Sequence, residues 1–292
     1  ADFIRPRMSA PLTRRRFLCA VAGAGVAGSS VAAYARWIEP QRFQIAQHTV
    51  TTGKSAADTP LRLLHLSDLH ASREIPLEYL ARAIAEGVRL RPDVICVTGD
   101  FVTSREKIPA GYADVLRALP AAAPTFATLG NHDGGVWSLR QGGMADSANV
   151  RAVLAAAGIP CLHNQSIDLT LRGRRLQLIG LGDLWSDECR PSVAFAQLHH
   201  ADRPARVVLS HNPDSKSALL AHDWDLLLSG HTHGGQIGVP FLARRFAPVR
   251  DKRFISGLHR WENRWLHVSK GVGCLFGVRL NCRPEISLLQ IA

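Results

Sequence analysis

The sequence predicts an α/β protein in which two mixed sheets pack face to face and helices cover both outer sides, a four-layer αββα sandwich. Three observations lead there. Short apolar runs recur along the chain and end in polar residues. In the first half they alternate with amphipathic helical segments, the order of an α/β unit. In the second half strand patterns dominate, which asks for a second sheet against the first. The 292 residues are 46% hydrophobic and 20% charged, enough apolar matter for a large core and too much for a disordered chain. The 24 glycines and 16 prolines show no period, which excludes collagen-like and low-complexity classes. No repeat at solenoid spacing is present. After residue 35 no apolar run is long enough to cross a bilayer as a helix, so a polytopic membrane protein is excluded.

Residues 61–67 (LRLLHLS) form a first strand pattern ending at Asp68. In 77–90, Leu77, Leu80, Ile84 and Val88 share one helical face, and Pro92 stops that helix. Residues 93–98 (DVICVT) make a buried strand running into Gly99-Asp100, 110–119 a helix, and 124–129 a strand running into Gly130-Asn131-His132-Asp133. A helix over 147–157 closes at Gly158, and two strands over 167–171 and 175–181 turn at Gly173. Residues 206–209 lead to Ser210-His211-Asn212-Pro213, and Asp214 is a fitting N-cap for a helix through His222. Residues 224–229 lead to Gly230-His231-Thr232-His233-Gly234-Gly235, and late strands follow at 265–269 and 285–291.

The N-terminus is an address rather than a fold. Thr13-Arg14-Arg15-Arg16-Phe17-Leu18 precedes an uncharged Ala/Gly/Val-rich stretch from Ala20 to Ala35, ending Ala33-Tyr34-Ala35. A basic front, a mildly apolar middle and a small-residue end make an export signal, and the paired arginines resemble the twin-arginine consensus. The alternative is an uncleaved anchor helix. Residues 1–40 are therefore expected to be an N-terminal extension with this signal or anchor, 41–59 a linker, and 60–292 one catalytic domain. Twin-arginine export implies the Tat translocase as a partner and a periplasmic or membrane-associated location. An anchored form would instead sit on the cytoplasmic face of the inner membrane.

The net charge of +11 is uneven. Residues 1–60 carry eight Lys/Arg against three Asp/Glu, and 238–267 carry seven against two. No nucleic-acid reader motif accompanies them, so a stable nucleic-acid partner is not expected. Arg244, Arg245, Arg250, Lys252 and Arg253 make either a solvated face or a contact for an anion or a membrane surface. None of the six cysteines forms C-x-x-C, so no zinc knuckle or redox motif is indicated. Cys96 reads as plain core, and Cys274 and Cys282 are left as a pair that sequence cannot join.

Five strand ends, far apart in sequence, finish in the same chemistry: Asp68 and His70; Asp100; Asn131 and His132; His211; His231 and His233. Asp, His and Asn are poor strand residues, and open α/β sheets hold ligands outside their strand ends. A pair of divalent ions explains the set. Carboxylate and neutral imidazole suit Mn, Fe or Zn, and the lack of thiolates argues against a structural zinc. Asp68 and His70, two apart, share a side if the segment is extended, and His231 and His233 repeat the spacing. With one bridging carboxylate, seven side chains suffice for two ions. His199-His200 has no strand before it and is taken as surface.

These five blocks resemble the calcineurin-like metallophosphoesterase superfamily: D-x-H at 68–70, G-D at 99–100, G-N-H-D at 130–133, a lone His211, and G-H-x-H at 230–233. The segments SHNPDS, SGHTHGGQ, FAPVRDKRF and GVGCLFGVRLNCRPE are similar to the YaeI/YkuE-type branch of bacterial phosphodiesterases. The resemblance implies the αββα fold, two divalent ions per chain, and hydrolysis of a phosphodiester by hydroxide generated at the dinuclear centre. It implies that Asp68, His70, Asp100 and His233 hold one ion, and that Asp100, Asn131, His211 and His231 hold the other. His132 would face the phosphate as acid or charge stabiliser. Asp133 would orient its ring or simply serve the turn. Thr103 stands where many members carry an acidic residue, which puts a supporting contact there in doubt. For the rest of the substrate, Arg140 in the glycine-rich loop 134–147 and Arg244 and Arg245 are the expected contacts, with Trp137 and Trp261 as aromatic surfaces that could lean on a lipid or a base. Trp261 and Trp265 could equally be core. The alternative activity is that of a UDP-2,3-diacylglucosamine pyrophosphatase of lipid A synthesis. A metal-binding scaffold would need a lost catalytic group, and none is missing. A monomer acting on a lipid- or nucleotide-linked diester is the expectation.

Overall fold

The computed structural model of the chain describes residues 28–53, 59–104, 106–198, 203–239 and 242–292. The twin-arginine motif and His199-His200 lie outside the described residues. In chain order the strands are β1 (Gln44–Val50), β2 (Leu61–Leu66), β3 (Val94–Thr98), β4 (Thr125–Thr128), β5 (Gln165–Leu171), β6 (Arg174–Gly180), β7 (Ala205–Leu209), β8 (Leu226–Ser229), β9 (Gly257–Trp261), β10 (Arg264–Val268) and β11 (Glu285–Ile291). The helices are α1 (Leu77–Arg89), α2 (Tyr112–Leu116), α3 (Ala118–Ala122), α4 (Val136–Arg140), α5 (Ala148–Ala156), α6 (Pro191–Phe195) and α7 (Leu242–Phe246).

One sheet runs β1-β11-β2-β3-β4 and the other β5-β6-β7-β8-β10-β9. β2, β3 and β4 are mutually parallel, as are β6, β7 and β8. Because side chains alternate along a strand, a doubly buried strand must be apolar on both faces. β2 shows this directly. Leu61 and Leu63 join Val94, Cys96, Leu176, Val207 and Leu226 in the layer between the sheets. Leu64 and Leu66 point the other way and pack with Leu80, Ile84, Leu116 and Leu154 of α1, α2 and α5. The outer face of the second sheet buries Ile179, Val208 and Leu227 against Phe195 and Trp224. These three apolar layers are what the αββα sandwich requires.

Three expectations change. The supposed linker 41–59 contains β1, paired in parallel with β11 from Gln44↔Glu285 to Val50↔Ile291. Its polar sequence belongs to an edge strand, and only Val50 is fully buried. The helix expected from Asp214 to His222 stops after a 3₁₀ turn over Pro213–Ser217. The cap is Asn212, whose side-chain oxygen accepts from the Asp214 N–H at 2.9 Å. Finally, β9 was missed: an edge strand of mixed polarity gives no clear alternation. The ring of Trp261 stacks on that of Trp224, with centroids 6.0 Å apart, and Trp265 donates to Thr51 O at 3.0 Å. Both tryptophans are structural.

A polar pair lies inside the inter-sheet layer. His65 Nδ1 is 2.9 Å from His267 Nδ1, and His65 Nε2 is 2.7 Å from Thr98 Oγ1. Burial pushes the His65 pKa down to about 3. The folded state thus keeps the ring neutral where the unfolded chain, at about 6.5, takes a proton. Stability is full above pH 6.5 and falls as pH drops toward 3, by on the order of 4 kcal/mol across the window. Urea midpoints measured with chelator present are expected to drop steadily below pH 6.5. His65→Gln is expected to flatten that slope, and an unchanged slope in this variant would remove His65 as its source.

Candidate metal centre

The carboxyl ends of β2, β3, β4, β7 and β8 converge on one edge of the sandwich, so both sheets supply the site. Asp68 and His70 follow β2, Asp100 follows β3, Asn131 follows β4, His211 follows β7, and His231 and His233 follow β8. The chain does not leave these strands extended. Asp68 (φ 54°), His70 (φ 49°), Asp100 (φ 53°), His231 (φ 69°) and His233 (φ 50°) all stand in left-handed backbone. That region is uncommon for residues with a Cβ, and such strain gathers at functional sites. The expectation of an extended Asp68–His70 segment is thus wrong, although both side chains do reach one cluster. Backbone hydrogen bonds fix the turns: Asp68 N–H donates to Gly99 O at 3.0 Å and His70 N–H to Asp100 O at 2.9 Å. Two glycines are needed for close approach. A Cβ on Gly130 would overlap the Asp100 carboxylate, and one on Gly230 would overlap Ser67 and Asp68.

The ligand atoms of Asp68, His70, Asp100 and His233 lie within 4.8 Å of one another, and so do those of Asp100, His211 and His231. Asp100 belongs to both sets. Its Oδ2 is 3.5 Å from His70 Nε2 and 3.0 Å from His211 Nε2. His233 Nε2 is 3.1 Å from His70 Nε2 and 3.4 Å from Asp68 Oδ1, and His231 Nδ1 is 3.3 Å from His211 Nε2. All of these residues are buried, as is Asn131. Asn131 Oδ1 and His231 Nε2 have no hydrogen-bond partner.

Two divalent cations fit this donor set. His211 Nδ1–H donates to Thr98 O at 2.8 Å, which turns its Nε2 lone pair toward the Asp100 carboxylate. Two acceptors at 3.0 Å repel unless a proton or a cation stands between them. Burial opposes charge on His211, yet Asp100 at contact outweighs it and raises the pKa to about 10. A pocket that draws a proton so strongly draws a cation for the same reason. Burial alone accounts for most of the fall of His70 and His231 to about 3, which keeps both rings neutral and able to ligate.

His132 lies at the mouth. Its Nδ1 is 2.8 Å from Ser104 Oγ, and its backbone N–H donates to Asp100 Oδ1 at 2.9 Å. Of the two readings of Asp133, its hydrogen bonds match service to the turn and not orientation of the His132 ring. Asp133 is fully buried, and its carboxylate accepts from Phe101 N–H at 2.7 Å and Gly130 N–H at 2.8 Å. It braces the turns that carry Asp100 and Asn131, and Ser104 holds the His132 ring in its place. Thr103 Oγ1 lies 3.4 Å from His70 Nδ1, so a hydroxyl stands where the missing acid was expected to support the site.

A cavity of about 470 Å³ opens above the cluster, lined by Asp100, Asn131, His132, Trp137 and Trp185 among others. Arg140, Arg244 and Arg245 do not line it; all three are exposed. Trp137 does line the cavity, with its ring 4.8 Å from that of His132. Trp185, which no motif signalled, sets its edge on His231 at 4.2 Å. Buried Asp183 holds the Trp185 loop by accepting from Ser186 N–H at 2.6 Å.

Behind Asp68 the segment 270–282 is gathered by Arg279, which is fully buried. It donates to Cys282 O at 3.1 Å, Lys270 O at 2.8 Å, Gly271 O at 3.1 Å and Gly273 O. Cys282 in turn donates to His233 O at 3.1 Å. All five cysteines among the described residues are free, Cys274 and Cys282 included. Arg279→Ala leaves several buried carbonyls unpaired, a loss of about 3 kcal/mol or more. The urea midpoint of this variant is expected to fall accordingly, and a midpoint matching wild type would show that water replaces the guanidinium.

Residues 61–235 match the family model of calcineurin-like phosphoesterases. The chain is 42% identical to the phosphodiesterase YaeI of Escherichia coli, over 96% of this chain and 99% of that one. It is 28% identical to the uncharacterized metallophosphoesterase YkuE of Bacillus subtilis, over 96% and 98%. It is 27% identical to the UDP-2,3-diacylglucosamine pyrophosphatase LpxG of Chlamydia trachomatis, over 88% and 92%. With both sheets, the shared carboxylate and the five strand-end blocks in place, the chain belongs to the calcineurin-like phosphoesterase family, hydrolases that act on phosphoric ester bonds.

Proposed function

We propose that the protein is a metal-dependent phosphodiesterase with two divalent ions. Asp68, His70, Asp100 and His233 would hold one ion, and Asp100, Asn131, His211 and His231 the other. The observation that carries this reading is the Asp100 carboxylate common to two buried clusters of nitrogen and oxygen donors. Bound there, the two ions supply Lewis-acid charge neutralisation at phosphorus and lower the pKa of water. Asp100 would serve both ions, and Thr98 O and Thr103 Oγ1 fix the ring orientations of His211 and His70. His132, steadied at Nδ1 by Ser104, has Nε2 as the nitrogen that passes a proton to the leaving alkoxide. The trp-lined mouth restricts water around the reacting group. The identity to a protein named a phosphodiesterase supports a diester over a monoester.

Hydrolysis of bis-p-nitrophenyl phosphate after stripping and readdition of Mn²⁺, Fe²⁺ or Zn²⁺ tests this reading. Turnover that needs the ion is expected; equal turnover in stripped protein would overturn it. Export is proposed on the Arg14-Arg15 motif alone. Fractionation is expected to place the wild type outside the cytoplasm and an Arg14→Lys/Arg15→Lys variant inside it. No helix among the described residues is long and apolar enough to cross a membrane.

A further inference from the structure

The cleft over the metal centre has two arms that differ in polarity. The first, about 470 Å³, continues from the cluster past Trp185, Ile237, Pro248 and Leu275. The second, about 560 Å³, runs past Ser72, Glu74, Thr103, Glu106 and Gln141. His132, Trp137, Leu275 and Phe276 line both, so the arms meet at the proposed acid. Apolar surface dominates both arms, but hydroxyls, an amide and two carboxylates make the second the more polar of the two.

No Lys or Arg is present among the described residues that line either arm. A second phosphate on the substrate would find no cationic side chain among these lining residues, and the Glu106 carboxylate would repel it. The apolar arm also opens onto exposed apolar surface. Phe276 is 82% exposed and stands at φ 59°, a strained backbone for an aromatic residue. Its loop is fixed rather than loose: Arg36 donates to Gly277 O at 3.2 Å and pairs with Glu74, and Arg279 N–H donates to Ala35 O at 2.9 Å. The segment so attached presents Trp37, 68% exposed. A fold that spends strain to hold an aromatic ring in water at the mouth of an apolar channel is arranged for an apolar ligand.

From this we infer that the substrate is an amphiphilic phosphodiester with a single phosphate, its hydrocarbon group in the first arm and an uncharged hydroxylated or cationic alcohol in the second. The inference rests on the phosphodiesterase reading and narrows it. The phosphorus then sits where the arms meet, over the metal centre and beside His132. Such a substrate carries one negative charge, which the two ions neutralise without help from arginine.

The test compares kcat/KM of the Mn²⁺-loaded full chain on octylphosphocholine and octylphosphoglycerol, below their micellar concentrations, with glycerylphosphorylcholine, methyl octyl phosphate and UDP-glucose. Products are read by phosphorus NMR. Octylphosphocholine or octylphosphoglycerol is expected to exceed the chain-less and head-less diesters by about tenfold or more, and the choline and glycerol arms distinguish a cationic from a hydroxylated alcohol. Phe276→Ser and Trp185→Ala are expected to raise KM for the octyl diesters about tenfold, with a smaller rise on methyl p-nitrophenyl phosphate. Glu106→Gln is expected to reduce the advantage of choline. Hydrolysis of bis-p-nitrophenyl phosphate with no preference for the octyl diesters, or a preference for UDP-glucose, overturns the inference and leaves the phosphodiesterase reading intact. Failure on bis-p-nitrophenyl phosphate itself overturns both.

Discussion

Asp100→Asn is expected to lose bound metal at both positions and to lower turnover of bis-p-nitrophenyl phosphate about 10³-fold or more. The reason is geometric. Asp100 Oδ2 is the atom nearest both clusters, at 3.5 Å from His70 Nε2 and 3.0 Å from His211 Nε2. Asn retains one oxygen and no negative charge, so it can serve one cluster at most and leaves two cations to repel across it. The substitution is otherwise gentle. Asn accepts left-handed backbone about as well as Asp, and its oxygen can still receive the His132 N–H. Circular dichroism is therefore expected to match wild type while elemental analysis of the purified protein shows the metal gone. A variant that keeps two ions and full activity would dismantle the bridging role.

His132→Ala is expected to show the opposite pattern: metal retained, kcat lowered by about 10²–10⁴-fold. His132 hydrogen-bonds to the cluster through its backbone N–H to Asp100, which alanine preserves, and its ring meets His70 only edge to face at 5.0 Å. Its ring faces the cavity beside Trp137, with Nδ1 at Ser104. Burial lowers its pKa, with Asp100 pulling the other way, so the ring gives up a proton readily once it has one. A substrate with a p-nitrophenolate leaving group needs little protonation, and the loss there is expected to be smaller than with an alkyl leaving group. Loss of both ions in His132→Ala would instead mark the residue as structural.

The metal cluster was legible because its chemistry violates local expectation. Asp, His and Asn do not belong after buried strands, and five violations at corresponding places pointed to one pocket. The apolar strands were legible because both faces are buried, as Leu63 and Leu64 show. What failed were features without a period. β1 and β9 are edge strands, half exposed and mixed in polarity. Trp185, Ser104, Phe276 and Cys282 are single residues in loops, and only the folded backbone brings them to the site. Asp133 is next to His132 in sequence, but its carboxylate accepts from three backbone N–H groups. Arg140, Arg244 and Arg245 lie outside the cavity lining, since charge and proximity in sequence do not fix where a side chain points.

Left-handed backbone at Asp68, His70, Asp100, His231 and His233 has a consequence for how the protein tolerates change over generations. Each of these conformations costs about 1 kcal/mol or more for a residue with a side chain, and Gly would relieve much of it. Selection for thermal robustness alone would favour those replacements, while selection for turnover forbids them. A descendant freed from its chemistry should accordingly accumulate Gly at these positions early and become hardier as it loses activity, so the five sites together record whether a lineage still depends on its enzyme.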